Sequence, residues 1–210
     1  DNNFTADLTI MEEGSEFIAR ARHAVFGEEN AHGGHIGPLP QFTSCCPAWV
    51  RFVETKYPAL IPHLSSAKSP QQMAGTVAKT YGVKVWNKPA DRIYTVGIMP
   101  CTAKKLEASR PEFISAYEYN SKKGQAAGAS YPDVDTVLTT RDLSRLFKKL
   151  GINLAAEKEM EGGTLLADYT GAGTIFGNTG GVMEAALRTA YAVITGNELK
   201  PLEFKKVRGL

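Results

Sequence analysis

Arg92–Met99, RIYTVGIM, followed by Pro100-Cys101-Thr102-Ala103-Lys104-Lys105, decides the fold. Eight residues rich in β-branched and aromatic side chains, bounded by polar residues and Pro100, predict a buried strand. A cysteine follows directly on the strand's C-terminal end. Downstream, Val134–Leu138 predicts a second strand, and Thr140–Leu150 a helix capped by Thr140 and ended by Gly151. Upstream, Ser69 is a natural N-cap and Pro70 fits a first turn, so Gln71–Tyr81 predicts a helix. Strands alternating with helices argue for an α/β fold with a parallel sheet, whose chemistry sits beyond the C-terminal strand ends.

Further outward, Gln41–Ser44 predicts a short strand ending at Cys45-Cys46. Pro47 then opens a helix, Ala48–Lys56, that stops at Pro58. Asp7–Arg22 predicts an amphipathic helix whose apolar stripe carries Leu8, Met11, Phe17, Ile18 and Ala21. Glu28–Pro40 is a Gly/Pro/His loop and Ser121–Asp133 a surface loop. Gly162-Gly163 marks a turn, and the Gly-rich run Gly171–Gly181 leads into a helix, Gly180–Thr189.

A length of 210 residues suits one domain or two small lobes sharing an interface. With 24 basic and 22 acidic residues, there is no electrostatic argument for nucleic acid or an anionic membrane. No run of about 18 apolar residues is present, so no membrane span is expected. The start, DNNFTADLTIMEE, lacks the basic region of a secretory signal. Three cysteines, two of them adjacent, make no disulfide framework and point to reduced thiols; they are also one short of a four-cysteine metal site.

Three constellations carry candidate chemistry. In Thr43–Trp49, TSCCPAW, a thiolate at a helix start has a lowered pKa and serves as metal ligand or nucleophile; the alternative is a pair of buried thiols acting as hydrophobes. In Met99–Glu107, MPCTAKKLE, Lys104 and Lys105 either set positive charge beside an anionic ligand set or are solvated. Glu12, Glu13 and Glu16 cluster with Arg20; Glu13 and Glu16 (i, i+3) and Glu16 and Arg20 (i, i+4) share a helix face, as either a surface ion pair or a carboxylate chain relaying protons. Ser65–Pro70 is a loop and cap. Gly171–Gly181 is placed to cradle an anion but lacks a Walker Lys-Ser/Thr pair. His23, His32, His35 and His63 have no metal-ligand spacing.

Taken together, these segments resemble the catalytic domain of the iron–iron hydrogenases. TSCCPAW and MPCTAKKLE match the family's first two cysteine signatures. ADLTIMEE (Ala6–Glu13), LSSAKSPQQ (Leu64–Gln72), TTRDL (Thr139–Leu143), TGGVMEAALR (Thr179–Arg188) and the terminal KKVRGL are similar to family segments as well. The resemblance implies two lobes with parallel sheets flanked by helices, and an active-site cavity at the strand ends between them. It implies an H-cluster, a 4Fe–4S cubane joined through a cysteine sulfur to a di-iron unit carrying CO, cyanide and a bridging dithiolate. By the same resemblance, Cys46 and Cys101 match cubane ligands, and Cys45 the thiol that passes protons to the dithiolate's amine. Glu13, Ser65 and Glu16 match the rest of a proton path, with Arg20 at its outer end. Lys104 matches the residue bonded to a cyanide and Met99 a side chain packed on the di-iron unit; Ser69, Gln71 and Pro100 match the cavity wall.

The implied reaction is reversible reduction of protons to dihydrogen. Electrons would come from accessory iron–sulfur clusters on other segments or chains, or from a ferredoxin, in the cytoplasm or in another compartment the family uses. The family's third signature, with two more cysteines, lies beyond the VRGL-like segment, so the chain is expected to be residues 1–210 of a larger catalytic domain. Ala48 stands where the family commonly has Gly, and the loops at His23–Pro40 and Phe113–Asp133 look long for it. Two rival functions remain: a non-catalytic hydrogenase-like iron–sulfur sensor or assembly protein, and a thiol–disulfide enzyme using Cys45 and Cys46.

Overall fold

The first helix, α1, runs from Asn2 to Phe26, well beyond both ends of the expected Asp7–Arg22. It stops at Gly27, which takes a left-handed conformation (φ 68°) while its N–H closes on His23 O at 2.9 Å. This is a computed structural model, and it describes residues 2–28, 36–126, 128–160, 165 and 170–199. The Gly162-Gly163 turn, His32, His35 and the terminal KKVRGL lie outside the described residues. The buried face of α1 is not the expected apolar stripe. Thr5, Ala6, Thr9, Ile10, Glu13 and Arg20 are buried, whereas Met11 is 60% exposed. The reason is the company the helix keeps: α3 (Pro70–Trp86), α7 (Gly171–Phe176) and α8 (Gly181–Thr195) all pack on it, and they meet it through polar as well as apolar groups.

α2 (Pro47–Lys56) follows Cys46 directly, with Pro47 in its first turn and Val53 fully buried. A 3-10 turn, Pro58–His63, ends that region. The expected strand at Gln41–Ser44 reduces to a single parallel bridge, Phe42 with Leu64. Phe42 N donates to His63 O and Ser65 N to Phe42 O, both at 2.7 Å. α3 begins as expected, with the Ser69 hydroxyl accepting from Gln72 N, but continues five residues past Tyr81 to a left-handed Asn87.

The sheet is parallel, as expected. β1 (Val96–Met99) pairs with β2 (Thr136–Thr139), Val96 opposite Thr136 and Met99 opposite Thr139. Among the described residues it has these two strands. β1 starts later than Arg92 because Ala90–Arg92 forms a 3-10 turn. Nor is it buried: Val96 and Ile98 are 48% and 41% exposed and face an open cavity of about 370 Å³. α4 (Ala103–Ala108) leads away from β1 and α6 (Thr140–Leu150) from β2, so both strands end in helix starts. Between α4 and β2, α5 (Ser115–Lys122) takes the first residues of the expected surface loop, and Asp133 at the loop's end is completely buried.

The Gly-rich run is a short helix, α7, rather than an open anion loop. The anion at its start belongs to the chain itself. Asp7 Oδ1 accepts from Gly173 N at 2.6 Å and from Thr170 Oγ1 at 2.8 Å, and Asp7 Oδ2 accepts from Thr170 N at 2.5 Å.

Candidate active site

The two cysteine segments meet at a lysine. Cys45 and Cys46 precede α2, and Cys101 lies between β1 and α4. Lys104, in the first turn of α4, donates from Nζ to the carbonyl of Cys45 at 2.8 Å and to both oxygens of Glu107 at 3.1 and 3.2 Å. Its side chain is 14% exposed, so it is not the solvated lysine of the alternative reading. Lys105 is that lysine: it points the other way, 46% exposed, and pairs with Asp142 at 2.6 Å. Glu107 is the hub that the sequence did not single out. Its Oε2 also accepts from Ser69 Oγ at 2.9 Å and from Gln71 Nε2 at 3.0 Å. The one local signal for it is its place three residues after Lys104, on the same helix face.

Gln71 Oε1 is buried with no partner. It lies against β1, where Gly97 leaves it room; a Cβ at Gly97 would come within 2.9 Å of that oxygen. Gln71 and Met99 line the same cavity. Pro100 is exposed.

The acidic residues of α1 form the second part of the site. Glu16 Oε1 takes Arg20 at 2.6 Å, and its Oε2 takes the Ser65 hydroxyl at 2.6 Å and Ser66 N at 2.9 Å. Arg20 is 3% exposed and donates besides to the carbonyls of Pro38, Pro62, His63 and Leu64. It is a buried clamp, so its pairing with Glu16 is not the surface ion pair of the alternative reading. Glu13 is 1% exposed. Its Oε1 accepts weakly from Ser44 N at 3.4 Å, and its Oε2 has no partner. Burial, with a smaller contribution from the Glu16 charge, pushes its carboxyl up to about 7 against the pull of Ser44 N–H. Glu13 and Cys46 line one cavity of about 460 Å³ whose walls are largely apolar, among them Phe17, Trp49, Met183 and Leu187.

Cys45 departs from expectation. A helix start lowers a thiol's pKa, yet this thiol is pushed up to about 11, first by burial and then by Glu13, with Lys104 opposing. All three cysteines are free thiols. Among the described residues, no three Cys, His, Asp or Glu side chains converge to hold a metal ion. The donor chemistry still fits part of an iron–sulfur group: soft thiols just before α2 and α4, with the buried Lys104 ammonium bonded to the Cys45 carbonyl and able to balance an anionic group. His63 does not join them; its Nδ1 pairs with Pro40 O at 2.8 Å.

Comparison with known proteins agrees with this arrangement. The model of the iron-only hydrogenase large subunit, C-terminal domain, matches residues 1–210. The chain is 46% identical over its full length to the periplasmic [Fe] hydrogenase large subunit of Nitratidesulfovibrio vulgaris, covering 44% of that protein. It is 45% identical to iron hydrogenase 1 of Clostridium pasteurianum, covering 32%. Protein NAR1 of Arabidopsis thaliana is 31% identical over 99% of the chain and is covered to 44%. Among solved structures, an apo variant of [FeFe]-hydrogenase HydA1 from Chlamydomonas reinhardtii superposes with a TM-score of 0.76 at 43% identity, over 100% of this chain and 47% of that one. Thus the chain spans less than half the length of these relatives. No helix among the described residues is long and apolar enough to cross a membrane. Full-length identity of this order, with the same α/β framework beneath both cysteine signatures, places the chain in the iron-only hydrogenase family, within the C-terminal domain of its large subunit.

Proposed function

We propose that the chain is part of the catalytic unit of an iron–iron hydrogenase, which reversibly reduces protons to dihydrogen at an H-cluster. Residues 1–210 would be the central part of that unit. The observation that carries the reading is Glu13: a carboxyl 1% exposed, unpartnered at one oxygen, lining the cavity of Cys46, with its pKa pushed up to about 7 by that burial. A carboxyl with that pKa both takes and releases a proton at neutral pH.

When bound, the H-cluster supplies the redox chemistry and the iron at which hydrogen is made or split. Cys46 and Cys101 would be cubane ligands. Lys104 holds a positive charge between the two cysteine segments and fixes the Cys45 backbone through its carbonyl. By the family resemblance, Gln71, Ser69, Met99 and Pro100 would surround the cluster. With its pKa near 11, Cys45 keeps its proton at neutral pH, which suits a proton carrier rather than a thiolate ligand. Outward from it, Glu13 exchanges the proton, and Ser65 and Glu16 continue the path, with Arg20 holding Glu16 in place. Between Glu13 and Ser65 the step takes a bridging water or a side-chain rotation, since Glu13 Oε2 has no partner of its own. The electron partner would be a ferredoxin or another iron–sulfur protein, in the cytoplasm. The second reading, an iron–sulfur assembly protein, draws on the 31% identity to NAR1; the 46% identity to a hydrogenase favours the first.

Replacing Cys45 with Ala in the complete, metal-loaded polypeptide separates these readings. Infrared bands of iron-bound CO and cyanide are expected to persist while hydrogen evolution falls by at least about a hundredfold. Unchanged evolution would remove Cys45 from the path. Iron uptake without CO or cyanide bands in the unsubstituted protein would favour the assembly reading.

A further inference from the structure

Ser65 holds its 2.6 Å bond to Glu16 from a segment, residues 64–69, that is neither helix nor strand. Ser65 N donates to Phe42 O at 2.7 Å, and the backbone on either side of it is tied down by side chains. Upstream, Arg20 fixes it by taking the carbonyls of Pro62, His63 and Leu64. Downstream, Ser66 N donates to Glu16 Oε2 at 2.9 Å, Ala67 N to Ser65 Oγ at 3.1 Å and Ser44 Oγ to Ala67 O at 2.9 Å, and Lys68 ties this run to the helices around it. Its Nζ donates to Asp133 Oδ2 at 2.5 Å and to Thr76 Oγ1 of α3 at 3.3 Å. Its carbonyl accepts from Thr9 Oγ1 of α1 at 3.1 Å.

Asp133 is itself fixed. It is fully buried, its Oδ1 accepts from Ala116 N at 2.7 Å and its Oδ2 from Ser115 N at 3.2 Å, at the start of α5. So α3 and, through Asp133, α5 hold the Lys68 side chain while α1 holds its carbonyl, three residues after Ser65 and one before Ser69, whose hydroxyl holds Glu107. The segment is also a wall. Ser66, Ala67 and Lys68 line a cavity of about 430 Å³ shared with Glu16 and Arg20. The same three line another of about 160 Å³ shared with Ser65, Ser69 and Glu107. A shift of this wall would move the hydroxyls of both flanking serines at once.

We propose that Lys68, held by Asp133, is a positioning residue that keeps the Ser65 hydroxyl on Glu16. Its effect on turnover rests on the proton-path reading above; its effect on the Ser65 position does not. Breaking a buried ion pair leaves a lone charge and lets the attached backbone relax.

The test uses Lys68→Met, Lys68→Arg, Ser65→Ala and the Lys68→Met/Ser65→Ala double variant in the complete, metal-loaded polypeptide, with crystal structures of the metal-free forms. Lys68→Met is expected to slow hydrogen evolution on the order of tenfold, within the roughly hundredfold that a misplacement of about 1 Å removes. Lys68→Arg restores the rate to within about threefold, since it keeps the charge. The double variant is no slower than Ser65→Ala alone, because Lys68 acts through Ser65. In the metal-free Lys68→Met structure the Ser65 hydroxyl lies beyond hydrogen-bond reach of Glu16. A Ser65 hydroxyl still on Glu16, or rate losses that multiply in the double variant, would overturn the proposal. If Ser65→Ala alone runs at full rate, the proton path falls, while a displaced hydroxyl in Lys68→Met still upholds the positioning role. Should Lys68→Met fail to fold, Lys68→Met/Asp133→Asn, which leaves no lone buried charge, carries the same structural comparison.

Discussion

Glu13 is where burial and chemistry meet most directly. Its carboxyl titrates near 7 in the folded chain and near 4.5 when unfolded, because burial disfavours the charged form. Between those values the folded state keeps a proton that the unfolded state has lost. Stability therefore falls as pH rises through that window, by on the order of 3 kcal/mol in all. Glu13→Gln, which cannot ionise, is expected to flatten this slope, as read from urea unfolding of the metal-free protein at pH 5 and pH 8. A slope equal to that of the unsubstituted chain would place the Glu13 carboxyl in an ordinary, solvated setting. The spacing of Glu13, Glu16 and Arg20 is visible in the sequence and puts them on one helix face. What the spacing leaves out is depth. Glu13 and Arg20 are buried while Glu12, next to Glu13 in the sequence, is exposed, and only the neighbours of α1 decide that.

Among the elements, α6 shows how local signals mislead by one position. Two threonines stand at its start. The sequence reading takes Thr140 as the cap, whereas the structure uses Thr139: its hydroxyl accepts from Asp142 N at 3.1 Å, and Asp142 Oδ2 accepts from Thr139 N at 3.0 Å. The Asp three residues after Thr139 is the signal that separates them. Thr139→Ala is expected to cost about 1 kcal/mol and Thr140→Ala only a few tenths, measured as shifts in the unfolding midpoint. Equal costs would mean that the reciprocal cap does not form. β1 misleads in the other direction. Its apolar composition says strand but not buried strand, and Val96 and Ile98 face a cavity.

At the scale of the molecule, α1 is the axis. It meets α3, α7 and α8, and its Asp7 binds the start of α7 across more than 160 residues of chain. Asp7→Asn removes the charged acceptor and is expected to cost about 2 kcal/mol. Hydrogen exchange should quicken at Gly173 and along α7 while α2 and α4 keep their protection. Uniform loss of protection would instead mean that the whole core depends on Asp7. The sequence by itself determined the α/β class, the helix starts at Pro47 and Ser69, and both cysteine signatures, because these rest on contacts between near neighbours in the chain. Only the tertiary structure decided which lysine is buried, that Ser69 and Gln71 join Glu107, that Lys68 is held by Asp133, and that Glu13 is desolvated. Those outcomes depend on groups 30 or more residues apart meeting in a medium that excludes water, where burial and pairing, not residue type, set the charge.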